Sequence, residues 1–411
     1  MDRTSIIGLR RQPGYPRFLS AATLARVADE MFSVGVVLLV LDRTDSPSLA
    51  GATVAAVTLP SLVTGPLLGA WMDLTGRRRS LMVFDQLAIA GSVLGILLLA
   101  GKVPDLLLPL MALVAGLTYP LSFGGFTSLI PVLVPDRLLT PANAMEASSF
   151  NFALIVGPAL AGTLSAALGP EAPLITEIVL TLLALVLILL VPGLDQGGRP
   201  ADDSSSVFDV ARQGIRLIFE TPQLRGVTAA GMIGLAGLGL LTVAFPFFAV
   251  DHLGVERGAA GYLWGAFALG SMLGALLLVR LQHRWPPERI VVGAITTFGL
   301  LMLLWPIQTS LPLMLVVVAI AGVADGPGLA ATFAARQRYV PPELMGQVFT
   351  TAAGLKVGSF ALGSAAAGPV VLAAGSDGAL LIAACVQFLA AGVGFVLMRA
   401  GADQREITSF V

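Results

Sequence analysis

Gly69-Ala70-Trp71-Met72-Asp73-Leu74-Thr75-Gly76-Arg77-Arg78-Arg79 is a short charged turn set between two long apolar stretches, Pro47 to Trp71 and Ser80 to Gly101. Each flank is long enough to cross a bilayer, which takes about 20 mostly apolar residues in a helix. Two glycines let the chain turn, and three successive arginines hold the turn on one side of the membrane. The eleven residues therefore read as a loop joining two membrane spans.

The rest of the chain repeats that pattern. Of its 411 residues, 56% are hydrophobic and only 12% charged, and the mean hydropathy is +0.88, well outside the balance of a soluble domain. Short polar joins divide the chain into twelve spans, among them Arg17 to Leu41, Asn143 to Leu168, Leu311 to Ala335 and Gly346 to Ala373. Repeated spans of this length predict an all-α polytopic membrane protein rather than a barrel.

Basic residues give the sidedness, because Lys and Arg accumulate in short cytoplasmic loops. With both termini inside, 19 of the 24 basic residues fall on the cytoplasmic side, and only Arg43, Lys102 and Arg257 fall outside. Arg26 and Lys356 lie within spans. The net charge of -1 thus hides a strong asymmetry, and the basic clusters are topology signals rather than nucleic-acid sites. Arg10, Arg11 and Arg17 precede the first span with no small-residue cleavage site, so no removable signal peptide is expected. Cys385 is the single cysteine, which excludes an intrachain disulfide and suggests a packing role. His252 and His283 fall in loops.

Asp195 to Ser206 is polar and rich in Gly and Ser, as a linker would be. It runs into Val207 to Glu220, whose apolar and charged residues alternate as in an amphipathic helix on the inner membrane face. The expected organisation is a six-helix bundle over residues 1–194, a cytoplasmic linker over 195–222 and a second six-helix bundle over 223–411. A shift of 206 residues lays Ala115-Gly116 on Ala321-Gly322, Val134-Pro135 on Val340-Pro341, and Gly157 and Gly162 on Gly363 and Gly368. The halves therefore read as a duplication.

The turn Gly69-x-x-x-Asp73-x-x-Gly76-Arg77-Arg78-Arg79 resembles the signature loop between helices 2 and 3 of the major facilitator superfamily, with Leu74 where that family usually has a basic residue. The resemblance implies a major facilitator fold, twelve helices in two pseudo-symmetric six-helix bundles with a substrate site between them. It also implies that Asp73 latches an inner gate against the start of span eleven near Gly346, where helix N-terminal N–H groups favour an anion. Within the superfamily, Val134-Pro135-Asp136-Arg137, Asn151 and Gly157-Pro158-Ala159-Leu160-Ala161-Gly162 resemble the drug, macrolide and enterobactin efflux branch. Gly157, Pro158 and Gly162 are similar to its antiporter motif. Two departures are the lack of an Arg in span four and Ala88 near the place of a common Arg after Asp85.

Charged residues inside spans are the candidates for chemistry, since an ion there needs a partner or a wet cavity. Arg26, Asp29 and Glu30 lie at i, i+3 and i+4 of span one, so Arg26 can face either acid. Asp325 and Lys356 lie about halfway through spans ten and eleven and can pair. Asp29 is the first choice for a proton-coupling acid and Asp325 the second; Glu177 reads as too near the outer surface and Glu146 as too near the inner one. A fixed ion pair that merely satisfies buried charge is the competing account for both clusters. Gly261-x-x-x-Gly265, Gly270-x-x-x-Gly274 and Gly354-x-x-x-Gly358 read as helix contact surfaces.

Phe32, Tyr119, Phe123, Phe126, Phe150, Phe152, Phe245, Trp264 and Phe267 supply an apolar cavity wall, although core packing or lipid contact is the commoner fate of any one of them. The expectation is a secondary transporter, not an enzyme, of a bacterial inner membrane. It would exchange protons for a small lipophilic or amphipathic substrate by alternating access, as a monomer and without a cofactor. A lipid or lysolipid carrier or flippase, or an uptake carrier, of the same fold is the alternative. With no His-Glu-x-x-His pair and no phosphate-binding loop, metal-dependent catalysis and ATP-driven work are not indicated.

Overall fold

The structure, a computed structural model, describes residues 8–61, 63–64, 67–68, 77–194, 215–278, 284–340 and 345–399. The first half holds α1 (Tyr15–Thr44), α2 (Pro47–Thr58), α3 (Arg78–Leu99), α4a (Leu107–Pro120) with α4b (Phe126–Leu133), α5 (Leu139–Leu168) and α6 (Ala172–Leu189). The second holds α7 (Pro222–Asp251), α8 (Ala259–Leu277), α9 (Pro287–Met302), α10 (Leu311–Tyr339) and the run Met345–Arg399. Gly375, at φ 72°, breaks that run, and its two arms are α11 and α12. Among the described residues the fold is all-α, in twelve helices with α4a and α4b taken as one. Gly69, Asp73 and Gly76 of the signature turn, most of the linker and His283 lie outside the described residues.

Local chemistry sets the helix ends. Ser46 accepts a hydrogen bond from the Leu49 N–H at 3.2 Å with Pro47 following it, the usual start of a helix. Gly169, at φ 98°, turns the chain between α5 and α6 where a side chain would be strained. Pro120 has no N–H to donate, and the chain widens into a π turn over Leu121–Gly125 before α4b resumes, as happens where the i→i−4 ladder is interrupted.

Arg17, Arg79, Arg225, Arg289, Arg338 and Arg399 all lie at helix ends on one side, here the basic side. Arg17 and Arg79 donate there to the carbonyls of Leu190 and Val191, holding the end of α6. On the opposite side, Arg43 donates to the Leu97 carbonyl at 2.5 Å and to Glu171 at 3.0 Å, tying α1, α3 and α6 together.

The duplication is visible in equivalent contacts. Gly116 of α4a abuts the Ala56 and Val57 carbonyls of α2, and Gly322 of α10 abuts the Phe267 carbonyl of α8. Gly157 of α5 rests on α1 at Val27 and Glu30, and Gly363 of α11 rests on α7 at Ala236. Small residues let these backbones meet where lipid offers no hydrophobic drive for helix association.

The halves meet on the opposite side along two glycine seams. In the α5–α8 seam, a Cβ at Gly162 would lie 2.2 Å from the Gly258 carbonyl oxygen, and one at Gly261 2.2 Å from that of Pro158. In the α2–α11 seam, a Cβ at Gly51 would lie 2.2 Å from the Ser364 carbonyl oxygen, and Gly368 abuts Pro47 and Ser48. Phe247, Phe360 and Trp264 of the second half pack on first-half cores beneath these seams. On the basic side the packed clusters, one around Phe18 and Ile188 and another around Val227 and Ile290, each stay within one half. The Gly261–Gly265 repeat thus packs α8 on α5, whereas Gly270 and Gly274 pack α8 on α10 against the carbonyls of Ala319 and Val323.

Candidate functional site

A cleft between the halves opens to the basic side. On α1 the solvent-accessible positions of the basic-side half include Ser20, Thr23, Glu30 and Ser33, one helical stripe. Beyond Ser33 every residue to Leu41 is buried. In α7, Arg225, Ala229, Met232 and Ala236 are accessible and Gly239 to Pro246 is buried. The stripe on α1 is polar, whereas Ala229, Met232 and Ala236 make that on α7 largely apolar. Phe245, Trp264 and Phe267 pack with Phe298 and Trp305 in a chain of ring contacts inside the second half. Phe152 is exposed, as is Cys385, so Cys385 does not serve core packing.

Arg26 is buried to 1% exposure and pairs with neither Asp29 nor Glu30. Its guanidinium donates to Glu146 of α5, lies over the rings of Phe126 and Phe150 at 5.9 and 5.7 Å, and shares Glu146 with Thr127, which donates at 2.7 Å. The sequence expectation followed neighbours on one helix, whereas α1 and α5 run side by side and bring Glu146 across. Thr23 bonds Ser149 at 2.8 Å in the same register.

That pairing leaves Asp29 and Glu30 without an ion pair. Glu30 reaches the cleft, and its Cβ is the nearest atom to a side chain at Gly157, at 2.6 Å. Asp29, turned into the first half, is 6% exposed. Two further acids that sequence reasoning did not choose join it. Asp85 of α3 is fully buried and accepts from Gln86 and from Ser122, each at 2.9 Å. Glu177 of α6 is 1% exposed, and neither carboxylate oxygen has a hydrogen-bond partner. Although only its helix's sixth residue, Glu177 is not near the membrane edge. Gly35 of α1 abuts Pro173 and Leu174, Gly14 abuts Pro192, and this antiparallel register sets Glu177 level with Asp29 and Glu30. Tyr119 of α4a lies among Glu30, Asp29 and Glu177.

The second half carries a charged cluster too. Asp325 of α10 has Lys356 of α11 and Ser271 of α8 as its polar neighbours, and the Lys356 stem lies along Gly231 of α7. Asp325 and Lys356 do not come within ion-pair distance, so the expected bridge is not formed; the stem is drawn instead onto the space that Gly231 leaves. The 206-residue shift sets Leu235, Ala236, Val291 and Ala383 at the places of Asp29, Glu30, Asp85 and Glu177. The acid cluster thus belongs to one half alone.

Of the remaining predicted positions, Arg77 precedes α3 and Arg78 begins it. Gly157, Pro158 and Gly162 serve two faces of α5, the first against Glu30 of α1 and the others in the α8 seam. His252 lies 3.0 Å from Asp377, linking the ends of α7 and the α11–α12 turn. No group of His, Cys, Asp and Glu suited to a metal ion occurs among the described residues.

The chain is similar to solved transporters over nearly its full length. It superposes on the nucleoside transporter NupG with a TM-score of 0.72 at 13% identity, covering 93% of this chain and 99% of that one. It superposes on a bacterial homologue of the human lysosomal transporter Spinster, in an inward-facing and unoccupied conformation, with a TM-score of 0.70 at 15% identity, covering 97% and 98%. In sequence, it is 31% identical over 375 residues to an uncharacterized transporter of Sinorhizobium fredii, y4rN, covering 88% of this chain and 90% of that one. It is 29% identical over 396 residues to the multidrug efflux pump Tap of Mycolicibacterium fortuitum, covering 92% and 94%. The Major Facilitator Superfamily profile matches residues 18–352 and 227–409. With the fold, the duplication and these matches in agreement, the chain belongs to the Major Facilitator Superfamily.

Proposed function

We propose that this chain is a proton-coupled exporter of small lipophilic or amphipathic compounds, working as a monomer in a bacterial inner membrane with both termini in the cytoplasm. On this reading the basic side is cytoplasmic, the structure is open inward, and the bundles of residues 1–194 and 223–411 rock about the glycine seams. The observation that carries it is the buried acid cluster at the closed end of the cleft, where the repeat supplies only apolar residues in the other half. Acids held away from water and cations bind and release protons as their surroundings change, so one half senses protons while the other moves against it. The similarity to an efflux pump supports export as the direction.

Asp29 is the primary coupling acid, Glu30 its contact with the cleft, and Asp325 a secondary acid. The test is accumulation of a fluorescent lipophilic cation in proteoliposomes under an imposed pH gradient. The expected result is gradient-driven accumulation that Asp29→Asn abolishes and Asp325→Asn weakens. Absence of accumulation by the intact protein, with labelled lipid translocated instead, would replace the exporter by a lipid carrier.

A further inference from the structure

We propose that Asp29 and Asp85 hold a single proton between them, bridged by the Ser122 hydroxyl, so that Asp85 is a second coupling acid and the pair acts as one site. This rests on the proton-coupled reading and specifies its proton-binding group.

The geometry is a convergence of three helices. Ser122 donates to Asp85 Oδ2 at 2.9 Å, and Asp29 has that hydroxyl and Asp85 among its polar neighbours. Each has one buried oxygen without a partner, Oδ2 of Asp29 and Oδ1 of Asp85. The groups facing the pair are Arg26 and Glu30 from α1, Gln86 from α3, Thr118, Tyr119 and Ser122 from span four, and Glu177 from α6. The one cation in this set, Arg26, donates to Glu146. Two adjacent carboxylates with no cation of their own cannot both ionise, and a proton on either relieves both.

Exposure falls from Glu30, at the cleft, through Asp29 to Asp85, so a proton leaves the pair toward the basic side by way of Asp29 and Glu30. Ser122 sits in the π turn Leu121–Gly125. Closing that turn to α-helix shifts register by one residue and swings Ser122 off the pair, removing the donor that favours the ionised form.

Infrared spectroscopy of the reconstituted protein at neutral pH tests this without a substrate. The expected result is a protonated-carboxyl band that Asp29→Asn and Asp85→Asn each abolish in full, the double variant removing nothing more. Ser122→Ala, which leaves both acids in place, should move the band in frequency without removing it. Additive losses in the two single variants, or a band untouched by Asp85→Asn, would overturn the shared proton even with gradient-driven transport intact. Should Asp85→Asn fail to fold, an unmoved band in Ser122→Ala would overturn it equally. Loss of gradient-driven transport in the unaltered protein would instead overturn the exporter reading and leave the spectra to be judged on their own.

Discussion

Gly157 of α5 meets Glu30 of α1 so closely that a Cβ at position 157 would lie 2.6 Å from the Glu30 Cβ and 3.1 Å from its carbonyl carbon. The antiporter-like motif is therefore what brings α5 against the acid-bearing level of α1. Gly157→Ala must push the two helices apart, a strain of about 1–3 kcal/mol for overpacking a tight contact. The expected outcome is a lowered thermal midpoint for the detergent-purified protein and a loss of transport larger than the loss of folded material. An unchanged midpoint would show that α1 and α5 have slack at this level.

The Arg26–Glu146 pair should respond asymmetrically to its removal. Arg26→Met leaves Glu146 buried with the Thr127 hydroxyl as its donor, and destabilisation of about 3–5 kcal/mol is expected for breaking a buried pair. Arg26→Met with Glu146→Leu removes both charges and should recover most of that loss. Denaturation of the two variants beside the unaltered protein, read by tryptophan fluorescence, checks both halves of the statement. A double variant no more stable than the single one would contradict it.

The glycine seams predict a conformational shift. Gly261→Val places branched carbon where the Pro158 carbonyl already lies, 2.2 Å from the Cβ position, so the α5–α8 seam cannot close. With Cys385 replaced by Ser, a cysteine introduced at Val37, buried in the closed seam side, should then label from the opposite face at least several-fold faster than in the Gly261 protein. Equal labelling rates would mean that the seam is not the gate.

Acid should loosen the opposite face of the first half. The hydrogen bond from Arg43 holds the Glu171 carboxyl below its ordinary value of 4.5. A depressed carboxyl contributes stability above its unfolded value and loses it as pH falls through the folded one. Because Glu171 is 41% exposed in its side chain, the contribution is at most about 1 kcal/mol. Glu171→Gln should accordingly lower the thermal midpoint slightly at neutral pH and not at all at strongly acidic pH.

Much of the architecture was legible because it depends on composition along the chain. Apolar lengths, the arginine sidedness and the 206-residue echo all survive without knowledge of which helix touches which. The candidate site was only half legible for the opposite reason. Arg26, Asp29 and Glu30 stand out on one helix, but the partner of Arg26 is 120 positions away, fixed by the parallel run of α1 and α5. Glu177 looked peripheral because its depth was counted along its own short helix, whereas its level is set by α1, which extends well beyond it to Thr44. Asp85 has no charged residue within a helical turn to draw attention, its neighbour Gln86 being neutral, and Ser122 reaches it only through the π turn after Pro120.

Both seams between the halves are built from backbone: the carbonyls of Pro158, Gly258 and Ser364 face glycine hydrogens rather than side chains. Those carbonyls belong to helices and keep their own ladder partners, so parting the seam leaves few polar groups newly unsatisfied. The side chains that must let go are few, chiefly Phe247, Phe360 and Trp264 on the first half. Such a joint can open and reseal many times along the same path, with its speed set by movement of whole helices rather than by local rearrangement. It is a hinge face that does not wear into alternative packings, suited to a protein that must return to the same closed state after every cycle.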